Sequence, residues 1–418
     1  VEPNVRDGAS VAEFIDISYD EALATILRAA IPLEAQTVPL AAALGDALAE
    51  DIDATLDMPG FDNSAMDGYA VRAADAAHAS ARQPVELRVV GRVAAGAAEV
   101  LRVGPGEAAG IATGAPMPAG ADAVVRIEVV EERGTRIVLM ASVGVGKDVR
   151  HAGEDVRRGA RLLARGQEVR PAEIAVLAAL GRQDVQVTRR PSIAILTTGD
   201  ELAQPGTALR SGQLYNANLP ALTAQATEAG AIARPMVSAR DDPGEIRSRV
   251  EDGLRANVLV VSAGVSMGER DYVRSALAAF GEVASWRLRM RPVRPLAFGR
   301  VGQTLVVGLP GNTVASQLAF ELLVRPAIRA MAGHTRIGRT ELVATLGESL
   351  ENRDRVLTFV RGILEGGAEG PVVRSAGGQG TANVATLARA DCLIVVPEGI
   401  EWLDPGALVR VRLLSGNG

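Results

Sequence analysis

Three apolar runs dominate the pattern of hydrophobic and polar positions: residues 192–196 (SIAIL), 258–262 (VLVVS) and 305–308 (LVVG). They are too short for helices and continuous rather than alternating, as strands buried on both faces are. Helical periodicity intervenes at 219–229, 244–255, 272–280 and 314–331. Buried strands alternating with helices predict a parallel sheet covered on both faces. The change of character at Pro191 and a break at 333–339 bracket this central α/β domain at residues 189–333.

The flanking segments read differently. Ser18-Tyr19-Asp20-Glu21 is a capping box, and the helix it opens runs to about Ala30. Residues 39–48 suggest a second short helix. From about 50 to 150 strands and turns mix: 85–93 and 137–143 read as strands, Gly104-Pro105-Gly106 and 116–120 as turns. Residues 171–180 form a short apolar helix. Residues 1–188 therefore read as one elongated N-terminal unit with a mixed-β subdomain inserted at about 60–150. Residues 338–415 alternate strands and turns at short spacing, as a small β-barrel or sandwich does. The expected fold is α/β and multidomain: N-terminal unit with its insertion, central three-layer α/β domain, C-terminal small β-barrel.

Composition narrows the function. The 418 residues are 48% hydrophobic but only 3% aromatic, so packing relies on aliphatic side chains. A formal charge of −6 argues against general nucleic-acid binding. No apolar stretch is long enough to span a bilayer, and no secretory leader is recognisable, which points to the cytoplasm. Cys392 is the only cysteine and His78, His151 and His334 lie far apart, which excludes cysteine-based zinc and intrachain disulfides. Lys147 is the only lysine, so arginine carries nearly all the positive charge.

Each buried strand runs into a polar, glycine-containing loop. The loops are Thr197-Thr198-Gly199-Asp200-Glu201, residues 263–271 (AGVSMGERD) and Leu309-Pro310-Gly311-Asn312-Thr313. Open α/β sheets bind ligands outside the carboxyl ends of their strands, so three such loops predict a site. Ser262, Gly264, Ser266 and Gly268 suit a phosphate, aided by the helix that begins near Asp271. Asp200, Glu201 and Asp271 are either ion-paired or hold Mg²⁺ together with substrate phosphate. Asp241 and Asp242 approach the same edge or cap a helix. Arg287, Arg289, Arg291, Arg294 and Arg300 lie within fourteen acid-free residues. The first three share one face of a strand, which is either an oxyanion clamp or a solvated surface.

Residues 60–72, GFDNSAMDGYAVR, break helix and strand periodicity and read as a loop. Asp62 and Asp67 in it suit a hydrated cation or an oxyanion-bearing substrate; a well-capped surface turn would look similar. The whole string resembles the N-terminal signature of the molybdopterin molybdenumtransferases, the family that includes the E domain of gephyrin. Thr113-Gly114-Ala115-Pro116 and Gly153-Glu154-Asp155 resemble the same family. So do the three strand-end loops, Arg361 in Phe359-Val360-Arg361-Gly362, and Thr381 after Gly378-Gln379-Gly380. The central domain is then similar to molybdopterin-binding domains.

The resemblance implies insertion of molybdenum from molybdate into adenylylated molybdopterin, with release of AMP and help from Mg²⁺. It assigns Asp67, Thr113, Glu201, Asp241, Asp271 and Arg361 to catalysis, with Glu201 and Asp271 on the metal. Substrate binding falls to Thr198, Gly199, Asp200, Ser262, Gly264, Ser266, Gly268, Arg287, Arg291, Arg294, Pro310, Gly311, Asn312 and Thr381. It also implies a homodimer with composite active sites. Its partners would be a molybdopterin adenylyltransferase and downstream molybdoenzyme maturation proteins, with neither nucleic acid nor membrane. The chain departs from the family pattern at Ala263, at Arg291 and Arg294 in place of lysines, at Thr313 and at Asn216-Ala217-Asn218. Those departures leave open a tungsten-inserting or divergent paralogue, and a catalytically relaxed, gephyrin-like binding scaffold.

Overall fold

The apolar runs do form strands: 258–262 as expected, 192–196 extended by one residue and 305–308 by one at each end. The computed structural model describes residues 15–97, 101–262, 272–368 and 370–415. Contacts divide the chain into two compact units, one of residues 1–50, 165–175 and 183–418, the other of 51–164 and 176–182.

The first unit is built on seven strands: β1 (Ile15–Ile17), β2 (Ser192–Thr197), β3 (Ile232–Pro235), β4 (Val258–Ser262), β5 (Glu282–Leu288), β6 (Pro295–Val301) and β7 (Thr304–Leu309). Their order is β1-β5-β6-β7-β4-β2-β3. The sheet is mixed rather than parallel throughout, because β6 runs antiparallel to both neighbours. Only Gly302 and Gln303 separate its end from β7, and so tight a turn can join antiparallel strands alone.

Alternate residues of the central strands feed two cores. Ile193, Ile195, Val258, Val260, Leu305 and Val307 pack with the helices Tyr19–Ala29, Asn218–Glu228 and Thr313–Ala319. Ala194, Leu196, Leu259, Val261 and Val306 face the helices Pro243–Gly253 and Tyr272–Ala278. Each fully buried Val, Ile or Leu contributes about 1.5–3 kcal/mol, so this sandwich is the rigid floor of the molecule's chemistry.

Ser18 and Glu21 close the expected capping box, with the Glu21 amide donating to Ser18 Oγ at 3.3 Å and the Ser18 amide to Glu21 Oε2 at 2.9 Å. The second short helix at 39–48 does not form. Ala35–Pro39 is a strand paired with Asp184–Thr188, followed by a single 3₁₀ turn, Leu40–Ala42. Gly45 at φ +80° then breaks the run before a helix can establish itself.

The last long helix is interrupted by a π turn, Phe320–Val324, next to buried charges. Glu321 accepts from Arg339 Nε at 2.8 Å, and Arg339 also reaches Glu228 at 2.8 Å. Beyond the helix, buried His334 has Nδ1 3.2 Å from Arg329 Nη2 and 3.9 Å from Glu168; Arg325 and Arg190 lie in the same field. Burial, and then the Arg329 charge, push its pKa down to about 4 from 6.5. Between those values the unfolded chain takes a proton that the folded chain refuses, so stability falls as pH drops through 6.5 towards 4. The full loss is roughly 3 kcal/mol. Glu173, held down to about 2 chiefly by Arg170, loses its contribution only below pH 4.5. Urea unfolding between pH 6.5 and 4.5 should therefore show a decline that His334→Gln flattens; an unchanged slope would refute this.

A five-stranded barrel closes the unit: β8 (Glu341–Leu346), β9 (Leu357–Gly367), β10 (Gly370–Ser375), β11 (Cys392–Val396) and β12 (Leu408–Leu413), in the cyclic order β9-β10-β8-β12-β11. Its interior holds Leu346, Val360, Val373, Ile394, Val411 and Cys392. Burial pushes the Cys392 thiol up to about 12, which makes it inert.

The second unit carries a six-stranded sheet of Val85–Val93, Glu107–Ile111, Gly68–Val71, Ala123–Arg126, Arg136–Leu139 and Val130–Arg133. The strand expected over 137–143 thus stops at Leu139. The 60–72 string is only partly loop. Asn63–Ser64 pairs with Val149–Arg150, and Gly68–Val71 lies between two strands of the sheet. Gly68 is required there, since a Cβ would meet the Val125 carbonyl oxygen at 2.0 Å.

Candidate functional site

Strands β2, β4 and β7 are adjacent and parallel, and they end level: Thr197 lies opposite Ser262, and Ser262 opposite Leu309. All three polar loops therefore leave one edge of the sheet. At that edge lies a floor of buried polar groups. Asn218 Nδ2 donates to Ser262 Oγ at 2.9 Å and to the Gly311 carbonyl at 2.8 Å. Ser262 Oγ also lies 3.1 Å from Ser316 Oγ and 3.4 Å from the Pro310 carbonyl. A parallel set joins Asn216 Nδ2 to Thr197 Oγ1 at 2.8 Å and to Ser238 Oγ at 2.9 Å. Among the described residues Asn218 Oδ1 is buried without a partner, an acceptor available to an N–H donor. Asn312 begins the helix Thr313–Ala319, yet its side chain makes no capping bond.

The carboxylates stand on the neighbouring loop. Buried Thr198 donates its amide to the Ser262 carbonyl at 3.4 Å, and Gly199 donates to Ala239 at 3.2 Å. Gly199 has φ +145°, and a Cβ there would sit 2.5 Å from Glu201 Oε1, so glycine lets the Glu201 carboxylate fold back over the loop. Asp200 and Glu201 are exposed; Asp200 Oδ1 accepts the Asp241 amide at 3.2 Å, which brings Asp241 to this edge. Asp242 is a helix N-cap, accepting from the Glu245 amide at 2.8 Å. Among the described residues no three His, Cys, Asp or Glu side chains gather into a metal cage. Mg²⁺ needs none: it takes one or two carboxylates, keeps waters and shares phosphate oxygens. Asp200 and Glu201 fit that demand. Gly264, Ser266, Gly268 and Asp271 lie outside the described residues.

The arginines do not share one strand face. Strand β5 ends at Leu288, the chain bends at Arg289, and Met290–Arg291 joins the barrel by pairing with Leu357 and Thr358 of β9. Arg287 Nη1 lies 3.7 Å from Asp16, opposite it on β1. Arg300 turns towards its own hairpin and donates to the Gly302 carbonyl at 3.1 Å. Arg291 and Arg294 converge instead on one carboxylate, Asp354, through Arg291 Nε at 2.5 Å and Arg294 Nη2 at 3.7 Å.

Three residues beyond Thr358 on β9 stands Arg361, only 1% exposed. Its Nη2 donates to the carbonyls of Gly378 at 3.0 Å and Gly380 at 3.3 Å, the residues that lead to Thr381. Its Nε and Nη1 are buried with no partner among the described residues. Burial holds this guanidinium below its usual range. Two donors of a buried cation left unmade are expensive, and an incoming oxyanion would satisfy both.

In the second unit, Asp67 Oδ1 accepts the Thr113 amide at 2.7 Å and Thr113 Oγ1 at 3.1 Å, so two of the predicted catalytic residues are in contact. Asp67 borders a cavity of about 460 Å³ lined also by Tyr69, Arg92 and Ile127. Asp62 is pinned separately by the Ala152 amide at 2.8 Å and by His151, which hold its carboxyl below the usual range.

Family models match three successive stretches: the MoeA N-terminal region (domain I and II) over 17–181, a probable molybdopterin binding domain over 194–330, and the MoeA C-terminal region (domain IV) over 343–414. Molybdopterin molybdenumtransferase 2 of Mycobacterium tuberculosis is 36% identical over 400 residues, covering 94% of this chain and 98% of its own length. The chain belongs to the molybdopterin molybdenumtransferase family. A Staphylococcus aureus molybdopterin molybdenumtransferase is 32% identical, covering 96% of each chain. The crystal structure of the molybdopterin biosynthesis moeA protein from Pyrococcus horikoshii superposes with a TM-score of 0.82 at 27% identity, over 96% of this chain and 100% of that one.

Seen as a molybdenumtransferase, the chain presents its candidate residues in groups: the strand-end loops, Arg291 and Arg294 on Asp354, buried Arg361 beside the Gly378–Thr381 loop, and the Asp67–Thr113 pair of the second unit. Sequence reasoning missed Asn218, Ser238, Ser316 and Asp354. Asn216-Ala217-Asn218 just before a helix was a signal for the polar floor. Nothing in the sequence links Asp354 to an arginine 63 residues away.

Proposed function

We propose that this chain transfers molybdenum from molybdate to adenylylated molybdopterin and releases AMP. The observation that carries this reading is Arg361, a buried guanidinium with two hydrogen bonds unmade among the described residues, beside the Gly378–Thr381 loop and on the strand whose Thr358 pairs with Arg291. Such a group binds a tetrahedral oxyanion and would otherwise be a liability.

The polar floor of Ser262, Ser316 and Asn218 receives the pterin nucleotide, with Thr198, Gly199, Pro310, Gly311 and Asn312 around it. Asn218 Oδ1 accepts from an N–H of the heterocycle. Asp200 and Glu201, with Asp271, would hold Mg²⁺, which would supply positive charge to the phosphates of the adenylyl bond. Asp241 positions Asp200 through its amide. Asp67 and Thr113 form the insertion-site pair, supplied by the second subunit of a homodimer. Arg287 extends the positive approach at the β5 edge. The substrate implies a preceding adenylyl-transfer enzyme, and the product a maturation partner of a molybdoenzyme. Among the described residues no helix is long and apolar enough to cross a membrane.

The test combines purified protein, adenylylated molybdopterin, Mg²⁺ and molybdate, and follows AMP together with molybdenum retained on the pterin. Equal amounts of the two products are expected. Tight pterin binding with no AMP under molybdate or tungstate would replace this reading with the scaffold.

A further inference from the structure

Arg291 and Arg294 already hold an anion, and it is the protein's own. We propose that Asp354 is a tethered counter-ion that keeps this arginine pair closed until a substrate oxyanion displaces it, and so sets oxyanion affinity. The inference rests on the reading of the Arg291–Arg294–Arg361 region as the molybdate site.

Three observations carry it. The first is convergence: Asp354 Oδ2 receives Arg291 Nε at 2.5 Å and a second contact from Arg291 Nη2, with Arg294 Nη2 3.7 Å from the same atom. One carboxylate oxygen thus occupies the place that a tetrahedral oxyanion would take between the two forks.

The second is that the carboxylate is delivered by a built turn. Asn352 is buried and donates Nδ2 to the carbonyls of Val356 at 2.9 Å and Ile400 at 3.0 Å, while its Oδ1 accepts from Thr358 Oγ1 at 3.0 Å. Arg355 then adopts φ +53°, a conformation that a non-glycine residue takes only when its surroundings impose it. Its carbonyl accepts the Gly399 amide at 2.8 Å. The turn feeds directly into Thr358, the register partner of Arg291. On the other side Pro292 and Pro295 stiffen the arginine segment and buried Val293 anchors it.

The third is exposure. The side chains of Arg291 and Asp354 are 45% and 40% exposed. A bridge this wet is weak and exchangeable, so a dianion can replace it. Asp354 therefore competes with substrate at high effective concentration without shutting it out.

Equilibrium dialysis of the full chain against molybdate, with bound molybdenum counted by mass spectrometry, tests this. Asp354→Asn should bind molybdate about 3- to 10-fold more tightly than wild type, and Asp354→Glu should stay near wild type. In an Arg291→Ala background Asp354→Asn should lose its effect. Melting curves confirm that the variants are folded. An unchanged or weaker affinity in Asp354→Asn, while binding still depends on Arg361, overturns the counter-ion and leaves the molybdate site standing. Binding indifferent to Arg291 and Arg361 overturns the site itself, and the counter-ion with it.

Discussion

Arg361→Met should lower the rate of AMP release by at least about 100-fold, roughly 2.7 kcal/mol of transition-state stabilisation, and leave the protein as stable as before or more so. The two halves come from one cause. In the resting protein Arg361 is a buried cation whose Nε and Nη1 have no partner among the described residues. An unsatisfied buried donor costs about 1–3 kcal/mol. Methionine removes both donors and the charge while keeping most of the side-chain volume. What it forfeits is the pair of bonds from Nη2 to Gly378 and Gly380, about 0.5–1.5 kcal/mol each. The loop does not depend on them alone. Gln379 Oε1 accepts the Arg361 amide at 2.9 Å, and its Nε2 donates to Ser375 Oγ at 3.0 Å and the Gly377 carbonyl at 2.8 Å; none of these needs the guanidinium. Thermal melts and steady-state AMP release on the same preparation check the pair of outcomes. Near-normal turnover, with a clear loss of melting temperature, would make Arg361 a structural residue and remove the main support for an oxyanion site.

Such a trade is common where a site is built before its ligand arrives. It also explains why Arg361 can be named from the sequence but not understood from it. A strand of alternating or continuous apolar residues announces its burial; an arginine between Val360 and Gly362 announces nothing about which of its nitrogens are paired.

The same division runs through the molecule. Ser192–Thr197, Val258–Ser262 and Thr304–Leu309 were legible because burial on both faces confines polar residues to the ends of each run. That their loops form a site followed from the general placement of ligands at strand ends, whereas their adjacency is set by the sheet. The antiparallel direction of Pro295–Val301 carries no such mark: strands alternating with helices imply parallel crossovers, and only the two-residue turn Gly302-Gln303 points the other way. The arginine spacing of two was real, and Arg287, Arg289 and Arg291 do alternate with buried Leu288 and Met290. What period-two spacing cannot reveal is that the strand ends between them and that the last arginine joins another sheet. Long-range partners such as Asp354 are set by tertiary structure alone.

Assembly gives the other large expected effect. Asp67→Asn and Glu201→Gln should each abolish AMP release as homodimers, and co-expression of the two should restore roughly a quarter of wild-type activity. Asp67 has its Thr113 partner within the second compact unit, whereas Glu201 belongs to the strand-end loops of the first. In a two-fold dimer whose sites take Asp67 from one subunit and Glu201 from the other, a heterodimer collects both lesions in one site and leaves the second intact. Random pairing makes half of all dimers heterodimers, and each has one working site of two. Heterodimers isolated through two different affinity tags should therefore show about half the wild-type activity per dimer. A site built within one chain predicts the opposite, because every site in the heterodimer would then carry one lesion. Inactive, verified heterodimers, or a protein that turns over as a monomer in analytical ultracentrifugation, would rule the composite site out.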